Sequence, residues 1–101
     1  MKTKVKTIDV NCKEWFDKVN GNSYFAGTVT INYGLKTAKV FKMPYQYGYG
    51  DQYRYEAIET LKRNKVIKYD SLSIWQFMEK NNIIERYNIQ RNCKKRELMQ
   101  F

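Results

Sequence analysis

The sequence predicts one small domain of the α+β class, spanning residues 1–101. In it, an antiparallel or mixed sheet of three to four strands is covered on one face by about three short helices. The chain has 101 residues, 43% of them apolar, which suffices for one core and is too few for two domains. Apolar residues alternate with period two between residues 24 and 43 and follow a helical period after residue 51. Strand and helix patterns do not alternate regularly, which favours a sheet with helices on one side.

The N-terminal segment predicts a strand followed by a short helix. Residues 3–10 place β-branched side chains among lysines, a composition typical of a strand. Asn11 and Glu14 have the spacing of a capping box, and apolar residues flank the cap as in a hydrophobic staple. We therefore predict a helix from Cys12 to Val19, with Trp15 in the core.

The next segment predicts a β-hairpin. From Tyr24 to Asn32 apolar and polar residues alternate, which indicates a half-buried strand. Residues 32–37 contain a glycine and are numerous enough for the connecting loop. The second strand is predicted from Ala38 to Met43, because Pro44 lacks the amide donor that a central ladder would need.

The second half of the chain predicts two helices and a strand. Gln52 to Arg63 has one apolar face, with Asp51 as a suitable N-cap. Ser73 and Gln76 form a second capping box, which predicts a helix over residues 74–80 with Trp75 and Met78 in the core. Residues 83–90 alternate again and predict a strand. Residues 92–101 fit either a short helix begun by Asn92 or an extended arm docked on the body.

Catalysis and metal binding have little support in the composition. The chain has no histidine, and its carboxylates are scattered singly. A serine or cysteine nucleophile would lack its usual base, and no metal-ligand spacing is present. Cys12 and Cys93 are isolated, so we expect two buried thiols without a disulfide. We predict a non-enzymatic protein with no catalytic residue, no metal and no cofactor. No apolar run is long enough to cross a membrane, so we also expect a cytosolic protein without a membrane partner.

Binding is better supported, because basic and aromatic residues are interleaved. The formal net charge is +9, and residues 18–50 contain no carboxylate. A sheet that presents lysines to phosphates and rings to bases is a common design of single-strand binders. The opposing interpretation is that the rings are core residues and the lysines ordinary solubilising charges. The candidate nucleic-acid-binding residues are Lys36, Lys39, Lys42, Tyr45, Tyr47, Tyr49 and Arg54.

Three segments carry a resemblance to known proteins: KEWFDKVNGNSY from Lys13 to Tyr24, PYQYGYG from Pro44 to Gly50, and NCKKREL from Asn92 to Leu98. Together they resemble small uncharacterised proteins encoded by tailed bacteriophages, including phages of gut bacteria. The resemblance implies a viral origin and a place in the host cytoplasm or the virion. The order helix, strand, strand, glycine loop, helix is also similar to a double-stranded-RNA-binding domain, although that family's lysine cluster has no counterpart at residues 51–54.

Three functions follow from these observations. The preferred hypothesis is binding to nucleic acid through a basic, tyrosine-rich sheet face and loop. The second is inhibition of a host or defence protein with an acidic surface, since tyrosine and arginine are enriched at interface hot spots. The third is a minor structural role in the virion. The positive charge favours the first, because a protein that mimics DNA would be acidic.

Overall fold

The computed structural model describes residues 4–48, 50–68 and 73–99. Its elements, in chain order, are β1 (Thr7–Asp17), β2 (Asn22–Ile31), β3 (Lys39–Tyr47), α1 (Gln52–Arg63), α2 (Ile74–Lys80), β4 (Ile84–Gln90) and α3 (Lys95–Leu98). The strands form one mixed sheet in the order β3-β2-β1-β4, in which only the β1–β4 pair is parallel. The predicted α+β class is confirmed.

The helix predicted from Cys12 to Val19 is wrong, because β1 continues without interruption to Asp17. β1 is the central strand, and its backbone groups pair with β2 on one side and β4 on the other. A capping box contributes on the order of 1 kcal/mol, which is less than two ladders of hydrogen bonds can supply. Glu14, assigned to that box, is instead buried and accepts a hydrogen bond from Arg91 at 2.7 Å.

The predicted hairpin is confirmed, but its second strand is longer than expected. β3 runs through Pro44 to Tyr47. It is an edge strand, so one side of its backbone needs no partner and proline is tolerated there. An irregularity in the β2–β3 register between Phe25 and Gly27 accommodates the extra length.

The main core lies between the sheet and the first two helices. The sheet face in contact with them, called the core face below, carries buried Ile8, Val10, Val29, Ile31 and Met43. Tyr53, Ala57, Ile58 and Leu61 of α1 and Ile74, Phe77 and Met78 of α2 complete this core. Both helices occupy the predicted residues, 52–63 and 74–80.

The two tryptophans are less buried than predicted. Trp75 is 68% exposed. The buried residues of α2 stand at positions 74, 77 and 78, which share one helix face, and position 75 points away from it. Trp15 is only half-buried, because alternate residues of a strand point to opposite sides and Trp15 points away from the main core. The prediction that both tryptophans are largely buried is therefore wrong.

The third helix lies on the opposite side of the sheet from the other two. Leu98 of α3 is buried against Ala26 and Cys93, with Trp15 and Tyr24 packed around them. α3 begins after Lys94, whose backbone N–H donates to the Glu97 carboxylate at 2.6 Å. Of the two alternatives for the C-terminal segment, the short helix is therefore the one observed, although it does not start at Asn92 and only two helices share the core face.

Candidate nucleic-acid interface

Strand register defines a second sheet face, called the open face below, which points away from α1 and α2. Asn11 of β1 lies opposite Thr28 of β2, and Thr28 lies opposite Lys42 of β3. On the other side of β1, Asn11 lies opposite Asn88 of β4. α3 covers only the end of this face near Trp15, so four strands present side chains over the remainder.

Three stacked rings cross the open face, one from each of three neighbouring strands. Trp15 and Tyr24 have ring centroids 5.6 Å apart, and Tyr24 and Tyr45 have centroids 5.1 Å apart with planes only 9° from parallel. Tyr47 meets Tyr24 edge-on at 5.8 Å. Such pairs contribute about 0.5–1.5 kcal/mol each beyond the area they bury. We call Trp15, Tyr24, Tyr45 and Tyr47 the aromatic row.

The members of the aromatic row differ in their exposure. Tyr45 is half-buried, and desolvation, followed by the charges of Tyr24 and Asp17, raises the pKa of its phenol above the ordinary value. Tyr45 is therefore neutral at physiological pH and keeps its O–H as a donor. Tyr47 is 59% exposed. It is the ring of the row that presents the most free surface to a ligand.

Two cations lie on the same side of the sheet as the aromatic row, Lys95 against its rings and Lys42 on the strand that carries Tyr45 and Tyr47. The Lys95 ammonium lies 5.6 Å from the centroid of Trp15 and 5.9 Å from that of Tyr45, within the range of cation–π attraction. Lys42 is exposed on the open face. Within the described ranges, no carboxylate lies at ion-pairing distance from Lys42.

The loop after the aromatic row is held against the core by a glycine. A Cβ atom at Gly48 would lie 2.6 Å from a ring carbon of Phe25, so only glycine fits there. Gly50 has a φ of 63°, a conformation that glycine adopts without strain. Glycine is thus required at position 48 by close packing against Phe25 and favoured at position 50 by the positive φ.

Three of the seven candidate residues come together on the open face: Lys42, Tyr45 and Tyr47. Lys36 is exposed in the loop that joins β2 to β3. Lys39 lies opposite Ile31, a core-face residue, so it points to the other side of the sheet edge. Tyr49 lies outside the described residues.

Arg54 lies on the core-face side of the molecule, where it contacts Glu85 and Tyr87. Its Nε donates to the Glu85 carboxylate at 3.2 Å, and its guanidinium carbon lies 4.0 Å from the centroid of the Tyr87 ring. The hydrogen bond to Glu85 is the main cause that raises the pKa of Arg54 above its ordinary value. The structure therefore does not bring Arg54 to the site formed by Lys42 and the tyrosines.

Sequence reasoning missed Trp15, Tyr24 and Lys95 as members of the site. The predicted helix at residues 12–19 hid Trp15, although alternation from Ile8 onward would have placed it on a strand facing away from the core. Tyr24 was placed at the start of a predicted strand, without a defined neighbour. Nothing near Lys95 in sequence predicts its contact with rings from β1 and β3.

The described residues also bear on metal binding and on the state of the two cysteine thiols. Over those ranges, no group of three or more histidine, cysteine, aspartate or glutamate side chains has the geometry of a metal site. Cys12 and Cys93 are free and, as predicted, buried. Burial raises the pKa of the Cys12 thiol from 9.0 to about 12, so this thiol is protonated and a poor nucleophile at neutral pH.

Comparison with known proteins yields no relative. No family model matches the chain, and no curated protein or solved structure matches it either. The resemblances to phage-encoded proteins and to a double-stranded-RNA-binding domain therefore stay predictions. In the parts of the chain that the structure describes, none of the helices is long and apolar enough to cross a membrane.

Proposed function

We propose that this protein is a non-enzymatic binder of nucleic acid that holds single strands on its open face. The observation that carries the proposal is the exposed ring of Tyr47, which shares a sheet face with the exposed, unpaired Lys42. A ring that can stack on a base and a cation that can neutralise a phosphate, both on one face, are the two elements of single-strand recognition.

The carboxylates on the open face do not cancel this positive field. Asp9 accepts hydrogen bonds from Arg86 at 2.6 and 3.0 Å. Glu97 caps α3 and lies 3.9 Å from the Lys13 ammonium. A third carboxylate, Asp17, accepts hydrogen bonds from Asn20, and these bonds together with the charge of Lys95 lower its pKa. Among the described residues, Lys42 is therefore a cation of this face that has no carboxylate at ion-pairing distance. In a chain of formal charge +9, this face attracts a polyanion.

Sequence-tolerant binding suits the geometry better than base-specific readout. Trp15, Tyr24 and Tyr45 use their faces on one another, so Tyr47 is the ring of the aromatic row with the most surface free for a base. Stacking is available to every base because each has a π-face. The lysines contact phosphates, which carry no sequence information.

The test is a titration of a fluorescently labelled single-stranded oligonucleotide at several salt concentrations, followed by anisotropy. We expect the logarithm of affinity to fall linearly with the logarithm of salt concentration, by about 0.7 for each phosphate contacted. An absence of binding at about 50 mM salt would overturn the proposal, since counterion release favours binding most at low salt. In this proposal the protein acts in the cytoplasm of a bacterial host, as the resemblance to phage-encoded proteins suggests.

A specific surface supports the second candidate, a host or defence protein with an acidic face. A groove of about 570 Å³ lies at the end of β1, and its lining includes Phe16 and Val19, three cations (Lys18, Lys94 and Lys95) and one carboxylate, Asp17. Val19 is 92% exposed. Apolar side chains ringed by lysines would complement an acidic protein surface. Loss of a protein partner in a Val19→Asp variant that still binds oligonucleotide would favour this candidate.

A further inference from the structure

The two edges of the sheet differ in how they are protected against pairing with another strand. At the β3 edge, the exposed Lys39 and Lys42, Pro44 and a register irregularity all discourage pairing. These are devices that natural sheets use to block edge-to-edge association. The β4 edge, Ile84–Gln90, contains neither proline nor glycine.

The β4 edge carries two exposed apolar or aromatic side chains, and its charged residues are paired. Ile84 is 62% exposed on the open face, and Tyr87 is 51% exposed on the core-face side. The strand's two charged residues are both neutralised, Glu85 by Arg54 and Arg86 by Asp9. The residues of this edge therefore add little to the repulsion between two copies of a chain with a formal charge of +9.

The backbone of β4 directs alternate residues toward solvent. The Ile84 N–H donates to the carbonyl of Lys6 at 3.1 Å, which shows that Ile84 faces β1. In a parallel ladder, alternate residues bond to the same neighbour. Arg86 and Asn88 therefore also bond to β1, while Glu85, Tyr87 and Ile89 present N–H and C=O groups outward.

We propose that β4 pairs antiparallel with β4 of a second copy of this chain, with Tyr87 opposite its own counterpart on a two-fold axis. This register places Glu85 opposite Ile89 and Arg86 opposite Asn88, so no like charges face each other. It uses all three outward-facing residues. A register centred on Glu85 would instead oppose two carboxylates, which destabilises a strand pair.

Side chains on both sides of the sheet favour this partner over an unrelated strand. Trp75, Met78, Ile83 and Tyr87 line a groove of about 530 Å³ together with the charged Arg54, Glu79 and Glu85. The exposed Ile84 lies on the opposite side of β4. A two-fold axis at Tyr87 would cover apolar surface of both copies on each side. Because the axis is perpendicular to the sheet, both open faces would point the same way in an eight-stranded sheet.

The first test is the solution mass of the full chain by light scattering over a range of protein concentrations. We expect twice the 12.2 kDa of the chain at high concentration. Tyr87→Pro should return the mass to that of the monomer, because it removes the central donor while leaving the bonds to β1 intact. A wild-type chain that stays monomeric throughout the range overturns the proposal.

Tyr47→Pro is the matched control for this variant. Tyr47 is also an exposed tyrosine on an edge strand, and its neighbour Gly48 donates to the Ser23 carbonyl at 3.0 Å, so the Tyr47 N–H points outward. This variant should remain dimeric. A monomeric Tyr47→Pro beside a dimeric Tyr87→Pro would reverse the assignment of the edges and overturn the proposal.

A pair of charge variants tests the register itself. Asn88→Arg would oppose two arginine pairs across the axis and should raise the dimer Kd about tenfold. Asn88→Asp would oppose aspartate to Arg86 twice and should lower it. Equal effects of the two substitutions would contradict the register.

Amide hydrogen exchange of the wild-type chain decides the matter without any variant. At high concentration the amides of Glu85, Tyr87 and Ile89 should be protected as well as those of Arg86 and Asn88. On dilution, only the residues bonded to β1 should keep their protection. Fast exchange of the three outward amides at every concentration would overturn the proposal, even if Tyr87→Pro failed to fold.

Discussion

The side-chain oxygen of Asn32 accepts a hydrogen bond from the backbone N–H of Lys6 at 2.7 Å, which ties the start of β1 to the end of β2. The Asn32 amide nitrogen donates to the Lys4 carbonyl and to the Thr37 hydroxyl, each at 3.0 Å. Asn32 is fully buried and has a φ of 52°. One residue thus joins the N-terminal segment, β2 and the following loop.

Two substitutions of Asn32 should distinguish the stability that comes from its hydrogen bonds from the stability that comes from its backbone conformation. Asn32→Gly keeps the positive φ but leaves buried groups unpaired, and we expect a loss of about 1–3 kcal/mol in the free energy of unfolding. Asn32→Ala should cost about 1 kcal/mol more, because a Cβ disfavours the left-handed region. Urea denaturation measures both. Equal stabilities of the two variants would show that the backbone conformation contributes nothing.

The two capping boxes that the sequence suggests should respond differently to alanine. Ser73 accepts a hydrogen bond from the backbone N–H of Gln76 at 3.2 Å and is a true N-cap, so Ser73→Ala should cost about 1 kcal/mol. Asn11 lies exposed within β1, and Asn11→Ala should change the unfolding free energy by less than about 0.5 kcal/mol. Thermal melts compare the two. A larger loss for Asn11→Ala would support a helix there after all.

Removing Lys42 should change the salt dependence of oligonucleotide binding. Lys42→Ala should make the plot of log affinity against log salt concentration shallower by about 0.7, the value of one phosphate contact on a single strand. Lys39→Ala is the control on the same strand, since Lys39 points to the other side of the sheet edge. Arg54→Ala, remote from the open face, should leave the slope unchanged. Equal slopes for Lys42→Ala and wild type would remove Lys42 from the interface.

Removing Tyr47 should weaken binding without changing its salt dependence. Loss of one stacked base costs about 1–3 kcal/mol, and a neutral side chain releases no counterion. Tyr55→Ala serves as control, because Tyr55 is similarly exposed but lies on α1. Anisotropy titrations of both variants give the comparison. Wild-type affinity in Tyr47→Ala would end the stacking model.

Stability should fall in alkaline solution, in part because of Cys12. Its pKa rises from 9.0 to about 12 on burial, so the folded state keeps a proton that the unfolded chain releases. The contribution of the Cys12 thiol to the free energy of unfolding is therefore fully present below pH 9 and is lost as the pH rises toward 12. Over that interval the free energy of unfolding falls by up to about 1.4 kcal/mol per pH unit.

Urea denaturation between pH 8 and pH 11 measures this slope. Tyr45 and Tyr53 also have raised pKa values, chiefly from desolvation, and add to the slope above about pH 10. Cys12→Ala should remove the part of the slope that begins near pH 9 and keep the tyrosine part. An identical pH profile in this variant would show that the thiol does not titrate with unfolding.

Elements with strong local signals could be predicted from sequence. α1 and α2 have amphipathic patterns with terminators, and Ser73 binds the residue three positions further on, so the information lies within a few neighbours. The β2–β3 hairpin likewise depends on alternation and a short loop. The excess of lysine and arginine, and with it the expectation of an anionic partner, is a property of composition alone.

Tertiary structure decided the rest, because the deciding partners are far apart in sequence. Asn11 lies in a strand and not at a helix N-terminus, because its segment pairs with β2 and with β4. Its partner in β4, Asn88, is far away in the sequence. Arg54 was directed to Glu85 for the same reason. The site combines Trp15, Tyr24, Tyr45 and Tyr47 from three strands with Lys95 from α3, the helix on the open-face side of the sheet. The sequence by itself determined which residues can stack and which carry charge. Strand order and register decided which of these residues share a face. Strand order and register depend on long-range backbone hydrogen bonds, which local patterns do not encode.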